Sequence, residues 1–381
     1  MKNKIELSCL LVFMFISFAF ISFKEEPPEL KITPIAVSGQ DYRHLVIDST
    51  THIVYAAITT KDDDKSTSVQ RWEDNKWIPC GGKLTGSVKS LCFHNGKLYA
   101  GISNGISQSG GSEDNRTSSV FVYENDDWKK FGDDIEGNIE VLVSFNNELY
   151  AGGNYVFGKG DENYSILKHY VDGKWMDCKA KPSSGITSGK IKHACVYKGK
   201  LVVIGFFGLT TDNGEAASIA MWDGKSWSSL GFVMKGGSYY ALTVYKDELI
   251  VGGSFLVTSK GMKAINNIFA WDGSQMKPFR DGLFGAVHCF TVLNDQLYIG
   301  GEFQEADKIQ SKFLIKWDGT DWHPMLQKAD GNSVSDGAGA GVYEMVGYEH
   351  ELFIEGILKS INDVDVKGTK FYGIAMLDIG K

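Results

Sequence analysis

The stretch Tyr240–Met276, YALTVYKDELIVGGSFLVTSKGMKAINNIFAWDGSQM, decides how the rest of the chain reads. Its opening segment, Tyr240 to Tyr245, turns at Lys246-Asp247-Glu248 into a second segment that ends at Gly252-Gly253. A longer polar stretch follows, then Ile268 to Trp271, then Asp272-Gly273. Short runs of β-branched and aromatic residues bounded by turn formers read as strands. An Asp-Gly pair suits a tight hairpin, because both positions tolerate positive φ. The unit is therefore tight hairpin, long loop, tight hairpin, long loop.

Working outward, the glycine phrase recurs. It appears as Leu98-Tyr99-Ala100-Gly101, Leu149-Tyr150-Ala151-Gly152-Gly153 and Leu297-Tyr298-Ile299-Gly300-Gly301, with weaker copies starting at Val54, Leu201 and Leu352. The seven starting points lie 44 to 55 residues apart. The tryptophan phrase recurs too, as Trp72-Glu73-Asp74-Asn75-Lys76-Trp77, Trp222-Asp223-Gly224-Lys225-Ser226-Trp227 and Trp317-Asp318-Gly319-Thr320-Asp321-Trp322, with variants at Tyr123/Trp128, Tyr170/Trp175 and Trp271/Met276. All 9 tryptophans belong to this phrase, which points to a repeated packing role and not to one aromatic cage.

A repeat of this length and order predicts four-stranded antiparallel blades, and seven copies predict an all-β, seven-bladed β-propeller over residues 29–381. The seventh unit runs through Ile374-Ala375-Met376-Leu377-Asp378 and stops before a fourth strand, while Lys31 to Val37 precede the first unit where a fourth strand belongs. The N-terminal segment is expected to complete the seventh blade and close the ring, leaving no free edge.

At these glycine pairs and tryptophan hairpins the chain resembles kelch-type propellers. It is especially similar to bacterial secreted propellers whose repeats read roughly L-Y-V-G-G-x-F, then N-x-I-A-x-W-D-G-x-x-W. The resemblance implies architecture, export and a binding surface, without naming a ligand. The pattern frays at Gly101-Ile102, at Glu355-Gly356 and at Ala56-Ala57.

Composition agrees with one large β domain: 44 glycines, 7 prolines, 43% hydrophobic and 23% charged residues. A net charge of −8 with no basic block argues against a nucleic-acid partner. Lys2 and Lys4 precede the apolar run Leu7 to Phe23, which ends at Lys24-Glu25-Glu26-Pro27-Pro28. Residues 1–23 thus read as a signal peptide, or as an N-terminal membrane anchor if uncleaved, and residues 24–28 as a linker. The expected location is secreted, periplasmic or at the cell surface. Cys9 lies at the start of the apolar run, not at its end, which disfavours lipidation there. Asn115-Arg116-Thr117 and Asn163-Tyr164-Ser165 are glycosylation sequons that matter only in a eukaryotic secretory host.

Catalytic patterns are few. Gly101-Ile102-Ser103-Asn104-Gly105 matches G-x-S-x-G, but a serine elbow needs a strand followed by a helix. Asp363-Val364-Asp365-Val366-Lys367-Gly368 opens like a calcium loop and then places a lysine at the third ligand position. Asp62-Asp63-Asp64 reads as a solvated turn, and Gly337-Ala338-Gly339-Ala340-Gly341 as a glycine run with no helix to make a phosphate cradle. The 8 histidines are scattered, so no metal centre or cofactor is expected. Cys80 and Cys178 each follow a hairpin tryptophan by three residues, and Cys92 and Cys195 are likewise equivalent. Two disulfides, Cys80 with Cys92 and Cys178 with Cys195, fit that symmetry in an oxidising compartment. Buried small residues fit it as well, and this second reading is preferred because the paired strands belong to different blades.

The candidate site follows from the repeat alignment. Nine positions before each glycine-phrase leucine, the first strand enters from the long-loop face and rings the channel mouth. These residues are Lys89, Glu140, Lys192, Tyr240, His288 and Tyr343, with Arg43 or His44 in the first copy. A core would repeat similar apolar residues, whereas this set is polar or aromatic and varies around the copies. The expected function is non-catalytic binding of a polar ligand, a glycan or a protein loop, by a monomer. The competing reading is a carbohydrate-active hydrolase or lyase using carboxylates such as Glu140 and Glu344 on the same rim.

Overall fold

The computed structural model describes residues 29–60, 63–103, 117–154, 165–184, 186, 189–232, 236–257, 264–331, 339–369 and 372–380. Residues 1–28, and with them the signal segment, the linker and Cys9, lie outside the described residues. So do Asn115, Asn163, Asp62 and the first two residues of the 337–341 glycine run.

Every regular element among the described residues is a β-strand, and no helix there is long and apolar enough to cross a membrane. The first sheet shows the pattern: Gln40–Ile47, Val54–Thr60, Asp63–Glu73 and Lys76–Pro79 pair antiparallel in chain order. The same meander opens with Ser87–His94, Asn138–Phe145, Lys190–Tyr197, Ser238–Tyr245, Val287–Leu293 and Gly341–Tyr348. These seven opening strands touch one another in chain order, and Gly341–Tyr348 touches Gln40–Ile47 in turn. They form the inner wall of the molecule.

The last sheet takes its outer strand from the other end of the chain. Lys31–Pro34 pairs antiparallel with Gly373–Asp378, with Lys31 opposite Asp378 and Ile32 opposite Leu377. A repeated hydrogen bond touches this sheet as well. Trp128 Nε1 donates to Cys80 O at 2.7 Å and Trp227 Nε1 donates to Cys178 O at 3.2 Å, each acceptor just past the preceding sheet's outer strand. Trp77 Nε1 donates in the same way to Ile35 O at 2.9 Å, just past Lys31–Pro34.

The core lies between neighbouring sheets. Val202, Ile204, Ile219 and Met221 of the fourth sheet pack against Tyr239, Leu242, Val251 and Phe269 of the fifth. Phe353 and Ile374 of the last sheet pack against Tyr42, Ala56 and Ile58 of the first in the same manner. The tryptophan phrase therefore serves packing, and Trp77, Trp128 and Trp227 add sheet-to-sheet hydrogen bonds.

Cys80, Cys92, Cys178 and Cys195 are all free thiols. Cys80 and Cys178 follow outer strands and Cys92 and Cys195 sit on inner strands, so roughly three strand spacings of about 4.8 Å separate positions that a disulfide needs within about 7 Å. Burial raises all four thiols above the ordinary range, which suits inert packing. Among the Asp-Gly hairpins, Asp172-Gly173 is doubly positive in φ, whereas at Gly224, Gly273 and Gly319 only the glycine is positive. The aspartate instead caps the turn, with Asp272 Oδ1 accepting the amides of Ser274 and Gln275 at 2.8 and 3.0 Å. Doubly positive turns occur on the inner hairpins, as at Lys246-Asp247 and Asn294-Asp295, and also on the outer hairpins at Asp74-Asn75 and Asn125-Asp126.

Candidate functional site: a ring of bulge residues

Each inner strand carries a register break near its long-loop end. The unpaired position is Lys89, Glu140, Lys192, Tyr240, His288 and Tyr343 in the second to seventh sheets. These are the residues selected by counting back from the glycine phrase. A bulge leaves one residue outside the ladder and re-aims its side chain. Here all six line one cavity of about 810 Å3 on the axis, together with Arg43. In the first sheet the break falls at His44 and Leu45, and His44 takes a positive φ of 57°. Arg43 is nevertheless the equivalent of Lys89, because Tyr42 pairs with Ile58 as Val88 pairs with Ile102.

The glycine pairs make the bulges sterically possible. A Cβ on Gly153, Gly205, Gly253, Gly301 or Gly356 would lie 1.9 to 2.1 Å from the carbonyl oxygen two residues before the bulge residue of the same sheet. The preceding glycine has a different neighbour. A Cβ on Gly152, Gly252 or Gly300 would press into the next sheet's inner strand, against Ile191, Val287 or Val342. The phrase thus shapes both the bulge and the close approach of successive sheets around the channel.

The cavity wall is asymmetric. On one side Tyr240, His288 and Tyr343 stack, with ring centroids 4.9 and 4.4 Å apart at 16° and 29°. Glu302 fixes this ladder: its Oε1 lies 3.0 Å from His288 Nε2 and accepts the Tyr343 hydroxyl. Those hydrogen bonds hold the Glu302 carboxyl down to about 2. On the other side Lys190 and Lys192 reach Glu140 at 2.5 and 3.4 Å. Burial lowers the Lys192 ammonium below its ordinary range.

The seam between last and first sheets is the third sector. Glu344 Oε2 accepts the Leu45 amide at 2.7 Å and its Oε1 lies 3.4 Å from His44 Nδ1. Arg43 stacks its guanidinium 4.2 Å above the Tyr372 ring. Burial holds His44 below the ordinary imidazole range, against the pull of Glu344.

Counting back from the glycine phrase misses Glu302, Glu355, Tyr372 and His193, which border or support the same space. Glu302 had a signal, since it directly follows a glycine pair at the long-loop end of its strand. The G-x-S-x-G serine plays a structural part. Ser103 is buried at the end of strand Lys97–Ser103 and donates to Asn138 Oδ1 at 2.8 Å. In the calcium-like segment Asp363 and Asp365 pair with Lys328 and Lys367.

No family model matches the sequence, and no curated protein matches it. Among solved structures, the β-propeller domain of the trilobed protease from Pyrococcus furiosus, a propeller of open velcro topology, is similar over 84% of this chain and 91% of that chain, at 12% identity and a TM-score of 0.52. The structure of YjhT covers 77% of this chain and 98% of that one at 16% identity, with a TM-score of 0.44. At such identities the likeness speaks to fold alone. With its all-β sheets and the first of these neighbours, the chain has a β-propeller fold.

Proposed function

We propose that this chain is a seven-bladed, kelch-like propeller, closed by its N-terminal strand, that binds a polar ligand at the mouth of its channel. It acts outside the cytoplasm as a monomeric binding module without catalytic activity or a cofactor, and the ligand is a glycan or a protein loop. The observation that carries this reading is the ring of bulges: a repeated backbone device aims polar and aromatic side chains of four kinds, Lys89, Glu140, Lys192, Tyr240, His288 and Tyr343, into one cavity. Packing alone favours repetition at such positions, whereas a recognition surface needs variety on a rigid scaffold.

The hydrolase reading with Glu140 and Glu344 receives less support. Glu140 is held by two lysines and Glu344 by a backbone amide, arrangements that build the wall.

The test is a glycan array and a protein-capture screen with residues 24–381, followed by the combined substitution Tyr240→Ala, His288→Ala and Tyr343→Ala. Loss of binding at an unchanged melting temperature supports the site. Unchanged affinity refutes it.

A further inference from the structure

Six of the seven sheets place glycine, alanine or a hydrocarbon side chain where the second strand faces the next sheet: Ala57, Gly101, Gly152, Ile204, Gly252 and Gly300. The last sheet places Glu355 there. Glu355 is only 2% exposed, and its Oε1 has no hydrogen-bond partner among the described residues. Directly across the strand pair stands Glu344. Like charges facing each other on a sheet repel, and a buried carboxylate without a partner is strongly disfavoured. Burial pushes the Glu355 carboxyl well above the usual carboxylate range; Glu344 adds to that, and Arg43 opposes it. The pair thus favours one proton on the Glu355 side, with Arg43, Asp41, His44 and Tyr372 as the surrounding titratable groups.

Glu355 also borders open space. A cavity of about 530 Å3 is lined by Glu355, Glu344, Arg43, Tyr372, Phe206 and Tyr240, among others, and shares part of its wall with the axial cavity. A buried polar oxygen at the wall of a polar cavity calls for an occupant that supplies its missing partner.

We propose that the carboxyl pair Glu344/Glu355, with Arg43 beside it, is a subsite for a neutral polyhydroxyl ligand, the diol edge of an uncharged sugar. This rests on the channel reading above and names the ligand class. The charges decide it. Glu344 repels an anion, and Arg43 with Lys192 repels a cation. A carboxyl that carries a proton beside a carboxylate offers a donor and an acceptor side by side, the pattern two adjacent hydroxyls require. Phe206 and Tyr240 supply apolar surface for the C–H face of a sugar ring.

The experiment compares residues 24–381 with Glu355→Gly and Glu355→Gln on immobilised neutral gluco-, manno- and galacto-oligosaccharides, beside oligosaccharides carrying uronic acids. Glycine is the residue of four sister sheets at this position, so Glu355→Gly should fold and melt at or above the parent temperature. The expected result is binding to neutral sugars, weakened at least about tenfold by Glu355→Gly and at most about threefold by Glu355→Gln, which keeps a donor and an acceptor. An infrared band of a protonated carboxylic acid at neutral pH should be present in the parent and absent from Glu355→Gln. Binding confined to the acidic sugars, no sugar binding, equal affinity in Glu355→Gly, or absence of the band overturns the subsite. If the Tyr240/His288/Tyr343 variant abolishes binding while Glu355→Gly does not, the channel reading stands and only the subsite falls. If neither change matters, both fall.

Discussion

Glu344 Oε2 accepts the backbone N–H of Leu45 at 2.7 Å, although 299 positions separate the two residues. Ser90 Oγ accepts the N–H of Leu142 at 2.9 Å in the same way, between consecutive inner strands of the second and third sheets. In both places the acceptor directly follows the channel residue of its own strand, and the freed amide belongs to the next strand around the axis. The same kind of contact thus joins the last inner strand to the first.

Removing that acceptor should be felt. Glu344→Ala strands a part-buried amide, which should lower stability by about 1–3 kcal/mol, whereas Glu344→Gln keeps an acceptor and should lose about half as much or less. Urea denaturation of the two variants measures the difference. Equal losses would mean the contact is not the cause.

The second glycine of each pair is a steric requirement of the bulge. Gly153→Ala puts a methyl group 1.9 Å from Asn138 O, so the strand must shift; the expected loss is about 1–3 kcal/mol. Gly82→Ala, with nothing within 4 Å of its added carbon, should stay within about 0.5 kcal/mol of the parent. Thermal unfolding separates the two, and equal behaviour would remove the steric argument.

Trp77→Phe deletes the hydrogen bond to Ile35 O, just as Trp128→Phe deletes that to Cys80 O. If Lys31–Pro34 is an outer strand like the others, each change should cost about 1 kcal/mol beyond the loss of ring volume, and the two should match within about 0.5 kcal/mol. A Trp77 effect near zero in chemical denaturation would set the N-terminal strand apart.

His193 gives a pH signature. Burial lowers its imidazole from 6.5 to about 4, and its Nδ1 has no partner among the described residues. The fold favours the neutral ring, so its contribution is complete above about pH 6.5 and is lost as pH falls toward 4, because the unfolded chain takes up the proton first. His193→Gln should flatten the fall in stability between pH 7 and 4, read by denaturation midpoints. An identical slope in the variant would contradict the assignment.

Much of this was legible in the sequence because the glycine phrase is a measuring point. Counting back from Leu98 or Leu249 crosses a hairpin of fixed length, so Lys89 and Tyr240 come out at the bulge without any knowledge of the sheet. In the first sheet the connection from Ile47 to Val54 is longer, and the same count lands on Leu45; only the pairing of Tyr42 with Ile58 identifies Arg43 as the equivalent residue. Glu355 read as a frayed glycine, because its meaning depends on Arg43 and Tyr372 arriving from both ends of the chain. The cysteine symmetry left two readings standing for a related reason: repeat alignment gives position within a sheet but not radial distance.

Seven inner strands share one channel only if the chain's two ends meet in the last sheet. The direct measurement is the melting temperature of a chain lacking residues 29–38, beside that of residues 24–381. Loss of the outer strand and of the Ile35 contact to Trp77 predicts a fall of at least about 10 °C. An unchanged melting temperature would contradict the closed ring, and with it the channel that gathers Arg43 and Tyr343 into one site.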